Sequence, residues 1–106
     1  MFKINGETWF VELVSPFHPS LRTREGFYTL GCCDDKLKTI FIAADLSDYK
    51  FKRVLCHEIV HAAMFSYNVQ LSYEEEEVIA DLIAIYGQEI IDITNKLFFN
   101  MVYKVK

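Results

Sequence analysis

The order of apolar and polar residues divides the chain into a β-rich first part and a helical second part. Residues 8–14 are rich in β-branched and aromatic side chains and stop before Pro16, which favours a strand that ends there. Two further β-rich runs, residues 27–33 and residues 38–43, flank a short polar link. This arrangement predicts a hairpin, and the polar residues 17–26 predict a loop.

The second part begins with a strongly periodic segment. Apolar residues recur at three- and four-residue steps over residues 48–66, which is typical of an amphipathic helix. Asp45 and Ser47 both precede this segment and are candidate N-caps, because their side-chain oxygens can accept a hydrogen bond from a free backbone N–H. We therefore expect a helix from about residue 48 to residue 66.

A second helix is predicted after a short polar connection. Ser72 and Glu75 have the spacing of a capping box, which marks a helix N-terminus, and the residues that follow present a broad apolar face. Gly87 can end or bend this helix, and residues 88–99 continue in a helical pattern. The number of helices is therefore predicted as two or three.

Together these elements predict an α+β fold, in which a small antiparallel sheet of three strands packs on two or three helices. The chain of 106 residues fits one domain, spanning residues 1–106. Its hydrophobic content of 52%, with nine Phe, six Tyr and one Trp, is sufficient for a packed core.

Charge and cysteine content narrow the classes of function. The net charge is −4 and no basic cluster occurs outside residues 50–53, so we expect no nucleic-acid partner. The N-terminus turns polar within a few residues and no apolar run approaches the roughly 18 residues of a membrane span. We therefore expect neither a targeting segment nor a membrane partner. Three cysteines, two of them adjacent, favour a reducing, cytoplasmic location.

The most informative motif lies on the first predicted helix. His57 and His61 are four residues apart, so their side chains lie one above the other on the same helical face and can bind one metal ion. Glu58 follows the first histidine, where its carboxylate could take a proton from a water molecule activated by the metal. This motif predicts a zinc site with hydrolytic chemistry.

Two histidines leave such a site incomplete, because a catalytic zinc commonly has three protein ligands. In the zinc signature with a third histidine, Gly and His would occupy the positions of Met64 and Tyr67, so that alternative is excluded. The other common third ligand is a glutamate from a second helix. Glu77 and Asp81 are four residues apart on the second predicted helix and share one of its faces.

Residues 57–62 and residues 77–84 resemble the gluzincins, a class of zinc metallopeptidases, and most of all the ImmA/IrrE-type peptidases and the smallest gluzincins. The resemblance implies a Zn²⁺ cofactor, with Glu77 as the third ligand and Asp81 as an acceptor for a ligand histidine. Fifteen residues between His61 and Glu77 make a short connection for this class. Within the acidic run 74–77, Glu76 and Glu74 remain alternative ligands, and Glu77 is preferred because it alone has an Asp four residues later.

Several other residues are weaker candidates. A tyrosine beside the metal could stabilise the oxyanion that forms during hydrolysis, and Tyr67, Tyr73 and Tyr86 are equal candidates from the sequence. His18, in the predicted loop, is expected to be exposed. None of the three cysteines, Cys32, Cys33 and Cys56, is expected to bind metal.

The combined expectation is a cytoplasmic zinc endopeptidase whose substrate is a protein or peptide. Glu58 would act as its general base, and the family resemblance implies a regulatory target such as the repressor of a phage or mobile element. Two alternatives stay open. One is a zinc-stabilised interaction module that cuts nothing, and the other is a latent peptidase in which residues 97–106 cover the cleft.

Overall fold

A computed structural model describes residues 1–104 and has an α+β architecture with a four-stranded mixed sheet and two long helices. The elements, in chain order, are β1 (Phe2–Ile4), β2 (Glu7–Val14), β3 (Gly31–Asp34), β4 (Thr39–Ala43), α1 (Asp48–Ser66) and α2 (Tyr73–Phe99). A short 3₁₀ helix, Pro19–Leu21, lies between β2 and β3, and a π-helical segment, Asn100–Lys104, continues α2. The α+β class is confirmed, and the sheet differs from the prediction in two respects.

The first difference is an additional strand at the N-terminus. β1 pairs antiparallel with β2 through a two-residue turn in which Asn5 and Gly6 both have positive φ, 48° and 79°. Asn-Gly is the preferred pair for such a turn, because both residues tolerate the left-handed region. The prediction of three strands was therefore wrong, because a strand of three residues is too short to show an alternating pattern.

The second difference is the direction of one strand pair. β2 and β4 run parallel, with Val11 opposite Ile40, and the strand order is β1-β2-β4-β3. The prediction of a purely antiparallel sheet was wrong. β3 runs in the direction opposite to β2, and the hairpin that follows it reverses the chain again, so β4 runs in the same direction as β2. The predicted hairpin is confirmed, since β3 and β4 pair antiparallel. Its first strand begins only at Gly31, because the preceding loop folds back and the Thr29 N–H donates to the Leu21 carbonyl.

Alternation along β4 supplies two small cores, one on each face of the sheet. Ile40 and Ile42 are fully buried against Trp9 of β2 and Ala62 of α1. The intervening side chain, Phe41, points to the other face. There it packs in a second cluster under the 3₁₀ segment, whose other buried members are Val14, Leu21 and Ala43.

The first helix follows the sequence prediction. α1 spans Asp48–Ser66, and the Ser47 hydroxyl accepts a hydrogen bond from the Lys50 N–H, as an N-cap does. The far end of α1 is tied to the sheet, because the Trp9 indole N–H donates to the Ser66 hydroxyl at 2.8 Å. α1 is therefore held against one face of the sheet.

The second helix is a single element rather than two. The capping box of Ser72 and Glu75 is present as predicted, and it lowers the pKa of Glu75 because the Ser72 backbone N–H and hydroxyl stabilise the carboxylate. The helix continues through Gly87 to Phe99 over 27 residues. Within residues 1–104, no helix has the combination of length and apolar content that crossing a membrane requires.

Candidate metal centre

The two histidines of α1 meet on the side of the helix that faces α2. His57 and His61 are one helical turn apart, and their Nε2 atoms are 3.1 Å from each other. Both rings are partly buried, with 17% and 12% of their side-chain surfaces exposed. Two imidazole nitrogens are therefore directed at one point between the helices.

Glu77 from α2 completes this cluster. Its Oε1 atom lies 2.8 Å from the His61 Nε2 atom, and its Oε2 atom lies 3.3 Å from the His57 Nε2 atom. Among the described residues, His57, His61 and Glu77 form a group whose ligand atoms all lie within 4.8 Å of one another. These three residues can hold a metal ion.

The spacing of the three ligand atoms fits zinc. Tetrahedral ligands at about 2.0–2.1 Å from the ion lie roughly 3.3 Å from one another. The two Nε2 atoms are 3.1 Å apart, Glu77 Oε2 lies 3.3 Å from His57 Nε2, and Glu77 Oε1 lies 2.8 Å from His61 Nε2. The three side chains therefore approach that spacing, through two different carboxylate oxygens. Two nitrogens and one carboxylate also form the donor set of a catalytic zinc site with one open position. The donor set and the approximate spacing are therefore compatible with zinc.

The outer nitrogen of each histidine is held by a carboxylate. Asp81 Oδ1 lies 2.9 Å from His57 Nδ1, and Glu76 Oε1 lies 2.6 Å from His61 Nδ1. When each Nδ1–H donates to its carboxylate, the Nε2 lone pair is directed at the metal position. The structure thus places Asp81 beside His57 rather than His61.

Glu76 is the site residue that sequence reasoning assigned differently. The sequence offered it as an alternative metal ligand, whereas in the structure its carboxylate contacts the far nitrogen of His61. The antiparallel course of the helices provides a signal that could have found it. Because the helices are antiparallel, the step of one turn from His57 to His61 on α1 is matched by a step of one turn backwards on α2. Asp81 is opposite His57, so the residue opposite His61 lies about four residues earlier, within the acidic run 74–77.

Glu58 occupies a different position from the three ligand residues. Only 7% of its surface is exposed, and burial raises the pKa of its carboxyl above the ordinary value of 4.5, against the opposing effect of nearby His57 and His61. Within residues 1–104, no side chain is hydrogen-bonded to this carboxyl. It borders a cavity beside the metal cluster, so it is free to exchange a proton with a molecule bound there.

Gly31 allows the sheet to approach this carboxylate closely. A Cβ atom added at Gly31 would lie 2.7 Å from Val54 Cγ1 and 3.1 Å from Glu58 Cγ. The first distance is shorter than real Cβ contacts allow, so a larger residue would fit only if the side chain of Val54 shifted. β3 is an edge strand of the sheet, and Gly31 places this edge against the wall of the site.

The cavity next to the cluster has a volume of about 1010 Å³. Its walls come from β3, the loop before it, and both helices, and they combine the metal cluster with apolar side chains such as Leu30 and Phe65. Tyr73 also lines this cavity, and the negative charge of Glu77 raises the pKa of its phenol. All three candidate tyrosines are exposed, and Tyr67 and Tyr86 do not contribute to the walls of this cavity.

The remaining candidates do not belong to the ligand group found among residues 1–104. The His18 ring accepts a hydrogen bond from the Ser20 N–H and stacks on Phe41, so it caps the 3₁₀ segment. Cys32 and Cys33 line the cavity as free thiols, and burial raises the pKa of both. Cys56 is a free thiol on α1.

The segment proposed to cover the cleft runs away from it as far as it is described. Residues 97–104 continue the helical course of α2, and none of them belongs to the cavity wall. Residues 105 and 106, which the same hypothesis included, lie outside the described residues.

Comparisons of the chain with protein-family models, with curated proteins and with solved structures found no match. The resemblance to gluzincins therefore rests on residues 57–62 and residues 77–84 alone and stays a prediction.

Proposed function

We propose that this protein is a zinc-dependent endopeptidase. The observation that carries the proposal is the position of Glu58, whose side chain is largely buried while its carboxyl borders a cavity beside the cluster of His57, His61 and Glu77. A cluster that served only to stabilise the fold would not need a carboxyl at this position, whereas hydrolysis needs a proton acceptor beside the metal site.

The surroundings of the cluster favour an extended peptide as the substrate. The cavity is as large as the upper end of small-molecule sites, which are commonly about 300–1,000 Å³. One wall is formed by Gly31, Cys32 and Cys33 of edge strand β3. An edge strand presents unpaired N–H and C=O groups, and a peptide can bind to them as an added strand.

The residues divide the chemistry of hydrolysis among themselves. His57, His61 and Glu77 would hold the zinc ion, and a bound zinc ion supplies Lewis acidity that polarises a carbonyl and acidifies water. Glu58 accepts the proton of the attacking water and donates it to the nitrogen of the departing amine. Asp81 and Glu76 keep the two imidazoles in the tautomer that leaves each Nε2 free for the metal.

A chelation experiment tests this function directly. The zinc-loaded protein is incubated with a mixture of unstructured peptides, and new peptide termini are identified by mass spectrometry. We expect cleavage that disappears after treatment with EDTA and returns on addition of one equivalent of Zn²⁺, because the cluster is the source of the activity. Absence of new termini at stoichiometric enzyme, or cleavage that persists in EDTA, would refute the proposal.

Tyr73 is expected to support the reaction from the cavity wall. As a phenol it can donate a hydrogen bond to the carbonyl oxygen of the substrate while negative charge develops there. We expect Tyr73→Phe to lower kcat by about 10²-fold, the effect of losing one such donor, with little change in KM. Tyr86→Phe is the matched control, since Tyr86 lies on the same helix outside the cavity. Equal kinetics of the two variants would remove Tyr73 from the mechanism.

A further inference from the structure

The C-terminal half of α2 has no partner among the described residues. Asp81 of α2 lies opposite His57, and α1 begins nine residues before His57, so α2 passes the start of α1 at about residue 90. Every residue from 88 to 99 is exposed. The molecule accordingly measures 59 Å along its longest axis against 31 and 27 Å along the others.

The projecting segment exposes apolar residues on more than one face, and one regularly spaced apolar stripe runs along it and along the part of α2 just before it. Ile83, Tyr86, Ile90, Ile93 and Leu97 follow one another at steps of three and four residues, which is the spacing of a coiled-coil seam. Between 40% and 54% of the surface of each of these side chains is exposed. Exposed apolar residues at this spacing on a lone helix indicate a helix-packing surface whose partner is missing.

We propose that this seam pairs with the same seam of a second copy in an antiparallel two-helix coiled coil. The first seam position of each heptad is called a, and the residue before it is called g. In an antiparallel pair, the g residues of one chain flank the seam opposite the g residues of the other chain. Ile90 and Leu97 are these first positions, and they are preceded by Glu89 and Lys96.

The register that aligns Ile90 of one copy with Ile93 of the other determines the charge pairing. It brings Glu89 of each chain opposite Lys96 of the other, so two ion pairs of opposite charge flank the seam. A parallel pair would instead place Glu89 opposite Thr94, which carries no charge. Charge complementarity thus favours a second copy and an antiparallel arrangement.

The charges of the segment argue against a lipid surface as its occupant. Residues 88–103 contain Glu89, Asp92 and Lys96 as their only charged residues, so the segment has no excess of basic groups. Helices that bind anionic membranes are rich in Lys and Arg on the polar face. A second copy buries the same apolar stripe and also uses the two opposite charges.

Mass measurement tests the pairing. We expect light scattering after size exclusion to give twice the chain mass of 12.4 kDa for the wild-type protein at micromolar concentration. Ile90→Glu should raise the dissociation constant at least about 100-fold, because it places a charge in the seam. Asn95→Glu, on the polar face of the same segment, is the matched control and should leave the dimer intact. Retained near-ultraviolet circular dichroism shows that each variant is folded.

Charge reversal tests the direction of the chains. Glu89→Lys alone and Lys96→Glu alone should each weaken the homodimer about tenfold, because each creates two like-charge contacts. A mixture of the two variants should form heterodimers, and the double variant should regain the affinity of the wild type. A wild-type protein that is monomeric, and in particular one that binds phosphatidylcholine vesicles as a monomer, would overturn the proposal. Homodimers that are insensitive to both reversals would overturn the antiparallel arrangement.

Discussion

Glu58→Gln is expected to reduce peptide hydrolysis by about 10²–10⁴-fold, the contribution of a general base, while zinc affinity stays unchanged. Gln has nearly the size of Glu and cannot accept the proton of the attacking water. The carboxyl is not among the three cluster residues, so its neutralisation leaves the ligand atoms in place. The measurement is the turnover of a cleaved peptide, compared with zinc affinity from isothermal titration calorimetry on the same preparation.

The matched control for this substitution is Glu74→Gln, which removes an equivalent charge from the exposed first turn of α2. Its turnover should equal that of the wild type. If Glu58→Gln cleaves as fast as Glu74→Gln, the assignment of the general base is wrong. If the wild type binds zinc and acts on a cellular partner without cleaving it, and Glu58→Gln does the same, the interaction module replaces the peptidase.

The second large effect is expected at the proposed metal ligands. His61→Ala should lower zinc affinity by more than about 100-fold. It removes a ligand, and this loss should be greater than the loss of about 10–100-fold that follows removal of an orienting group. Glu77→Gln should act in the same direction, because a neutral amide oxygen is a poorer zinc ligand than a carboxylate. Competition with a zinc-binding dye measures both constants, and activity should fall in parallel at limiting zinc.

The two orienting carboxylates provide the internal comparison. Asp81→Asn and Glu76→Gln leave all three ligand atoms present and should lower zinc affinity by about 10–100-fold. We therefore expect both ligand variants to bind zinc more weakly than both orienting variants. A Glu76→Gln variant that loses zinc more completely than Glu77→Gln would make Glu76 the ligand, as the sequence alone had allowed.

The candidate metal cluster could be predicted in part from the sequence, because its residues lie on two regular helices. The spacing of His57 and His61 defines a shared face within one helix, so no tertiary information is needed. Glu77 required knowledge of how α2 lies against α1, and the sequence supplied this only through a resemblance. Side chains of neighbouring residues on a helix point about 100° apart around its axis. Whether Glu76 or Glu77 faces the metal position therefore depends on how α2 is rotated against α1, which the sequence does not determine.

The sheet shows a different limit. Both helices of the site were predictable because caps at Ser47 and Ser72 mark where they begin. The parallel pairing of β2 with β4 was not, because an apolar run indicates a strand without indicating its direction. The close approach of β3 to α1 at Gly31 could not be predicted from the sequence either, because it involves Val54 and Glu58 from a distant part of the chain. Pairing partners and close contacts are properties of the tertiary structure.

The most direct test is a crystal of the wild-type protein grown with one equivalent of Zn²⁺, with anomalous diffraction recorded on both sides of the zinc absorption edge. We predict one zinc peak per chain, bounded by His57 Nε2, His61 Nε2 and the Glu77 carboxylate, with Asp81 and Glu76 on the outer nitrogens of the two histidines. A peak bounded by other side chains, or no peak at this cluster, would contradict the proposed centre.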